Sequence, residues 1–210
     1  MPNIELLEKS MPVAPIRIAA LGCRELAEEV DRKLVKFRKE LVERKQLSAI
    51  PQGYSEESFI VECECPRFGT GEGKGYIKES VRGTDLYIMV DVTNYSESYT
   101  VCGHENHMSP DNHFQDLKRI ISAATGKAHR INVIMPFLYE GRQHRRTKRE
   151  SLDCALALRE LSDMGVSNII TFDAHDPRVQ NSIPLNGFDN FFPYLSVFKS
   201  SDQECAGSSC

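Results

Sequence analysis

The chain has 210 residues, 40% of them hydrophobic and 27% charged, the proportions of an ordinary globular protein with one substantial core. Its formal net charge of −4 argues against a general polyanion binder, so any basic cluster is a local feature with a small target. No stretch approaches the ~20 apolar residues of a membrane span, and the N-terminus lacks the basic start and sustained apolar core of a targeting segment.

In chain order, IRIAAL (Ile16 to Leu21) reads as a strand closed by Gly22. Arg24 to Arg44 then carries Leu26, Ala27, Val30, Leu34, Phe37, Leu41 and Val42 at three- and four-residue spacing, an amphipathic helix. Gln46 to Glu57 reads as a loop and Ser58 to Cys63 as a possible strand, while Phe68 to Gly75 holds four glycines in eight residues and predicts a turn or close backbone approach. DLYIMVDV (Asp85 to Val92), INVIMPF (Ile131 to Phe137) and VSNIITF (Val166 to Phe172) are apolar, β-rich runs. The second and third follow helix-like segments, Asp111 to Thr125 and Ser151 to Met164, the latter with Ser151 as N-cap and Gly165 at its stop. Thr93 to Pro110 is a polar loop insertion, and residues 199–210 are a small, polar, flexible tail.

Near-continuous apolar strands alternating with helices must be dry on two sides, which predicts a doubly wound, mostly parallel α/β sheet with helices on both faces. The expected layout is an extension at residues 1–15, one domain over 16–198 and the tail. Seven cysteines, at positions 23, 63, 65, 102, 154, 205 and 210, lack zinc-site spacing and read as reduced thiols of a cytoplasmic protein.

In an open parallel sheet, ligands bind beyond the carboxyl ends of the strands. Two strands deliver chemistry there. INVIMPF leads into five cations within eight residues, Arg142 to Arg149, and VSNIITF leads into Asp173, His175 and Asp176, so strand polarity places both sets on one rim. Guanidinium forks pair with phosphate oxygens in two places at once, and acid and imidazole groups suit a magnesium-bound nucleotide, so phosphoryl-type transfer is the natural chemistry. The plainer readings are a solvated basic loop and a hydrogen-bonded strand-end histidine. No GxxxxGK[ST] phosphate loop occurs, and FGTGEG is by spacing alone a turn. Nucleic-acid binding through RQHRRTKR is disfavoured by the acidic chain, the short cluster and the lack of interleaved aromatics.

Three separated motifs carry a resemblance. PFLYEGRQHRR, followed after a helix by NIITFDAHDPRVQNSIP, and FGTGEGKGYIKESVRGTDLYIM upstream, resemble the ribose-phosphate pyrophosphokinases over Ile16 to Tyr194. The resemblance implies a phosphoribosyltransferase-like fold and transfer of a diphosphoryl group from MgATP to ribose 5-phosphate, giving phosphoribosyl pyrophosphate and AMP. It implies that Arg142 and Gln143, with Arg145 and Arg146, hold ATP, and that His175 sits at Mg2+ and the transferring phosphate as the catalytic residue. It further implies an adenine pocket with Phe68 and Glu72, completed by a neighbouring subunit of a homo-oligomer, and a regulatory phosphate site at Ser80, Arg82 and Gln180. Thr70 and His144 stand where the family has acidic or amide side chains. The family's second-domain motifs, an acidic ribose-phosphate loop and a mobile basic loop, do not occur in these residues, so the expectation is an N-terminal half with weak or no activity alone. The alternative is a non-catalytic regulatory subunit of the same fold.

Overall fold

The computed structural model describes residues 15–45 and 53–192. The expected tail and most of the N-terminal extension lie outside them, as do residues 46–52. Five parallel strands form the main sheet in the order β1 (Ile16–Leu21), β4 (Asp85–Val90), β7 (Arg130–Met135), β8 (Val166–Phe172) and β9 (Gly187–Phe191). Helices α1 (Arg24–Lys45), α2 (Pro110–Ala124) and α3 (Asp153–Asp163) connect them, with a 3-10 helix, Pro177–Ser182, between β8 and β9. The parallel α/β class is therefore as the apolar runs predict; β9, whose GFDNF sequence is half polar, is an addition to the expected strands.

Helices cover both faces. Ala27, Val30 and Leu34 of α1 pack with Ile18, Phe59 and Met89 on one face. On the other, Phe114, Leu117, Ile120 and Ile121 of α2 and Cys154, Leu158 and Leu161 of α3 pack with Leu86, Ile88, Val133 and Ile169. The chain passes between faces around the edge of β1. Ile18 donates its amide to the Phe59 carbonyl and accepts from the Val61 amide, both at 2.8 Å. The strand expected at Ser58 to Cys63 is thus one parallel bridge at Ile60 followed by a two-residue strand, β2 (Cys63–Glu64), paired with β3 (Tyr76–Ile77).

Two local expectations are corrected. Thr93 to Pro110 is not only loop: β5 (Ser98–Val101) and β6 (His104–His107) form an antiparallel hairpin. Its two-residue turn puts Cys102 and Gly103 at φ of 52° and 79°, the left-handed pair a tight hairpin needs, with cysteine where asparagine would be usual. Ser151 is not the N-cap of α3. Leu152 holds that position without a side-chain bond, Ser151 donates to the Asp153 carboxylate at 2.6 Å, and one open helix amide, Cys154, donates to the Gln143 carbonyl instead. By contrast α2 starts conventionally, Ser109 accepting from the Asn112 amide ahead of Pro110.

Candidate functional site

Strand β7 ends against a firmly anchored segment. Tyr139 stacks on Phe114 at 4.3 Å, donates its hydroxyl to Asp111 at 2.6 Å and donates its amide to the Met135 sulfur. Glu140 then takes a left-handed φ of 55°, and Gly141 passes so close to Leu138 that an added Cβ would lie 3.0 Å from its carbonyl oxygen. Gln143 donates its side-chain amide to the Ser151 carbonyl at 2.7 Å, closing the loop onto the start of α3. Arg142 is held between these anchors. Its guanidinium, like those of Arg145 and Arg146, has no ion pair or hydrogen bond among the described residues, whereas Arg24, Arg67, Arg119, Arg130 and Arg178 are all paired with carboxylates.

Strand β8 ends in a second strained turn. Asp173 takes a φ of 48°, its amide donates to the Phe191 carbonyl, and the Ala174 amide donates to the Asn190 side chain. Left-handed backbone in residues with side chains is costly and concentrates at functional sites. Two of the three such residues among those described, Glu140 and Asp173, sit at the ends of these neighbouring strands. The two turns line one cavity of about 320 Å3 with Phe137, Leu138, Gly141, Arg142, Phe172, Asp173 and His175. The rim predicted from strand polarity is therefore formed.

His144 bridges the turns. Its Nδ1 lies 3.1 Å from the Arg142 carbonyl, its Nε2 3.5 Å from the Asp176 carboxylate, and its ring 5.1 Å from that of His175. Asp176 also accepts from the Arg178 amide and guanidinium, which hold its carboxyl well below the usual carboxylate range. It is thereby occupied in capping the 3-10 helix. Burial pushes the thiols of Cys23, Cys63 and Cys154 up to about 11 and that of Cys65 up to about 12, so none of these four is a nucleophile near neutral pH.

Phe68 and Glu72 lie elsewhere, on the glycine-rich turn. The Phe68 amide donates to the Glu72 carbonyl, Phe68 is exposed, and Thr70 donates its hydroxyl to the Glu72 carboxylate at 2.8 Å. Arg67 fastens this turn to α2 through Asp116. Glu72 lines a different cavity, sharing no residue with that of Arg142 and His175. Ser80 and Arg82 are exposed on the turn before β4, where the Ser80 hydroxyl accepts from the Arg82 amide. Gln180 is on the 3-10 helix, and no hydrogen bond joins it to Ser80 or Arg82 among the described residues.

No cluster of three or more metal-ligating side chains occurs among the described residues. The donors at the rim, His175 and Asp173, suit a Mg2+ that keeps its waters and arrives on a polyphosphate, since magnesium commonly takes only one or two protein ligands.

The architecture is that of a parallel α/β protein with an anion-suited rim at its strand ends. The pattern of the N-terminal domain of ribose phosphate pyrophosphokinase matches residues 18–165, and the chain belongs to that family. His175 lies beyond the matched span. The ribose-phosphate pyrophosphokinase of Bacillus caldolyticus is 30% identical over 146 residues, 68% of this chain and 42% of that protein. Ribose-phosphate pyrophosphokinase B of Dictyostelium discoideum is 30% identical over 122 residues, 57% of this chain and 33% of that protein. The phosphoribosylpyrophosphate synthetase structure from Mycobacterium smegmatis superposes with a TM-score of 0.61 at 19% identity, over 89% of this chain and 52% of that one, a likeness of fold. The chain thus spans about half or less of the length of these relatives.

Proposed function

We propose that this chain supplies the ATP side of a ribose-phosphate diphosphokinase site, within one α/β unit over residues 16–198. The observation that carries this reading is the convergence of Arg142 and His175 on one cavity, with the Arg142 guanidinium left unpaired. An unpaired guanidinium in a cleft offers an anion a two-point contact. Arg145 and Arg146 extend the positive potential along the entering polyphosphate. Gln143 acts by fixing the loop that presents Arg142, and His175, with Asp173, would hold a phosphate-bound Mg2+ beside the transferring group. That ion would supply charge neutralisation during transfer.

Phe68 and Glu72 serve the adenine end. The resemblance has the adenine pocket completed by a neighbouring subunit, so one ATP engages both ends by bridging two copies of the chain and the protein works as a homo-oligomer; that the two cavities share no lining residue is in keeping with this. Ser80 and Arg82 are the candidate regulatory phosphate site, with Gln180 belonging to it only if a neighbouring copy brings it near. Ribose 5-phosphate is the acceptor by family, and the cytoplasm the setting. The acceptor motif is not in these 210 residues.

Calorimetry with MgATP on the wild type and Arg142→Ala tests the reading. The expected loss is ~1.5–3 kcal/mol, the range of a charge-assisted contact. Equal affinities would remove Arg142 from the phosphate site.

A further inference from the structure

Between the glycine-rich turn and the β5–β6 hairpin lies an open cavity of about 700 Å3, lined by Gly71 and Glu72 on one side and Tyr99, Val101, His104 and Asn106 on the other. The hairpin falls in the polar segment Thr93 to Pro110, which interrupts the alternation of strands and helices. It is cross-linked to the turn at two points. The Cys102 thiol, on the left-handed hairpin tip, donates to the Gly69 carbonyl at 3.5 Å. Arg67 lies 5.0 Å over the Tyr99 ring while its guanidinium is fixed to Asp116 by two bonds of 2.8 Å. The two walls therefore form one preorganised cleft, and preorganisation is what a recognition pocket gains from such ties.

The chemistry of the lining selects a ligand. Glu72 uses one carboxylate oxygen on Thr70, and Asn106 donates its amide to the His104 carbonyl. The second oxygen of Glu72 and the side-chain oxygen of Asn106 have no hydrogen-bond partner among the described residues. Two open acceptors beside an aromatic ring match a flat heterocycle that carries an exocyclic amine, whose two N–H groups both donate. A ring bearing oxygen at that position would meet acceptor with acceptor.

We propose that the hairpin is a base-reading element, in which Asn106 and Glu72 accept from the 6-amino group of adenine against the wall formed by Tyr99 and His104. The proposal rests on the nucleotide reading above and adds the hairpin to it as the part that selects the base.

The test is calorimetry on the full chain with Mg2+ and, separately, ATP, inosine triphosphate and tripolyphosphate. Inosine triphosphate differs from ATP only in carrying an oxo group for the amine and a proton on the adjacent nitrogen. ATP is expected to bind about tenfold more tightly than inosine triphosphate, the effect of one or two net hydrogen bonds. Asn106→Ala should bring that ratio below about threefold, again the size of one net hydrogen bond, while tripolyphosphate affinity stays constant. Glu105→Ala serves as the control. Glu105 alternates with Asn106 along β6 and accepts from Ser98, so its loss weakens the hairpin without touching the cavity lining. Equal wild-type affinity for the two nucleotides, or a ratio lowered as much by Glu105→Ala as by Asn106→Ala, overturns the proposal. Failure of the phosphate reading looks different: Arg142→Ala then leaves tripolyphosphate binding unchanged. Absence of any ATP binding overturns both.

Discussion

Arg67 and Asp116 meet in a two-point ion pair whose side chains are only 6% and 7% exposed, and Asp116 accepts from Arg119 as well. One carboxylate on α2 thus holds the glycine-rich turn, and through the Arg67–Tyr99 contact also steadies the hairpin.

Removing one partner of a buried pair strands the other charge. Arg67→Ala leaves Asp116 with Arg119 alone, and the expected cost is about 2–4 kcal/mol, slightly under the range for a fully orphaned partner. Urea unfolding monitored by circular dichroism reads it as a lower midpoint at unchanged slope. A shift within experimental error would mean that the pair merely balances its desolvation.

Acid should destabilise the protein through Asp85. Burial alone would raise its carboxyl, but the Arg130 guanidinium and His129 outweigh burial and hold it below its ordinary value. The folded form therefore binds fewer protons in acid than the unfolded chain. The stabilisation is complete above the ordinary aspartate range near ~4 and is lost as pH falls through the lower folded value. The urea midpoint should drop between about pH 5 and about pH 3, and drop less in Asp85→Asn. An identical acid response in the variant would assign the effect to other carboxylates.

These 210 residues alone should release no appreciable AMP from MgATP and ribose 5-phosphate. Positioning of acceptor against donor accounts for ~7 kcal/mol or more of barrier in well-oriented reactions, and Arg142, Arg145, Arg146 and His175 act only on the donor. Robust turnover that His175→Ala abolishes would require an acceptor site within this chain.

Self-association is expected at tens of micromolar protein, and it should strengthen when MgATP is added, because a ligand that joins two cavities on different copies favours the assembled form. Static light scattering that returned a monomer with and without nucleotide would remove the shared site.

Much of this architecture was legible in the residues. Strands such as β4, with Leu86, Ile88 and Val90 on one side and Tyr87 and Met89 on the other, are apolar on both sides because the sheet is covered on both, and strand polarity alone brought Arg142 and His175 to one rim. The hairpin escaped because His104 to His107 is polar and its turn uses Cys-Gly, a weak signal beside Asn-Gly. Strand β9 escaped because Asp189 and Asn190 interrupt its apolar character. His144 could not be read from spacing: its role as a bridge depends on Asp176, which reaches it only after α3 and β8 have folded the chain back. The separation of Glu72 from His175 was likewise invisible, since order along the chain does not say which cavity a turn will line.

The register of the sheet has a consequence for how the chain reaches its fold. Ile16 pairs with Asp85, Asp85 with Arg130, Asn132 with Asn168, and Asn168 with Gly187, so the loop that each pairing must close shortens steadily from β1 to β9. Closure entropy rises by about 0.6 kcal/mol for each doubling of loop length, which makes the β8–β9 contact the least costly to form and the β1–β4 contact the most. The strand of this sheet that is synthesised first is then the last to find its neighbour, and Ile16, Ile18 and Ala20 wait uncovered while the rest of the sheet assembles. Pulse-labelled hydrogen exchange during refolding should find the amides of β8 protected before those of β1. The reverse order would mean that the packing of α1, rather than the length of chain to be closed, directs the assembly of the sheet.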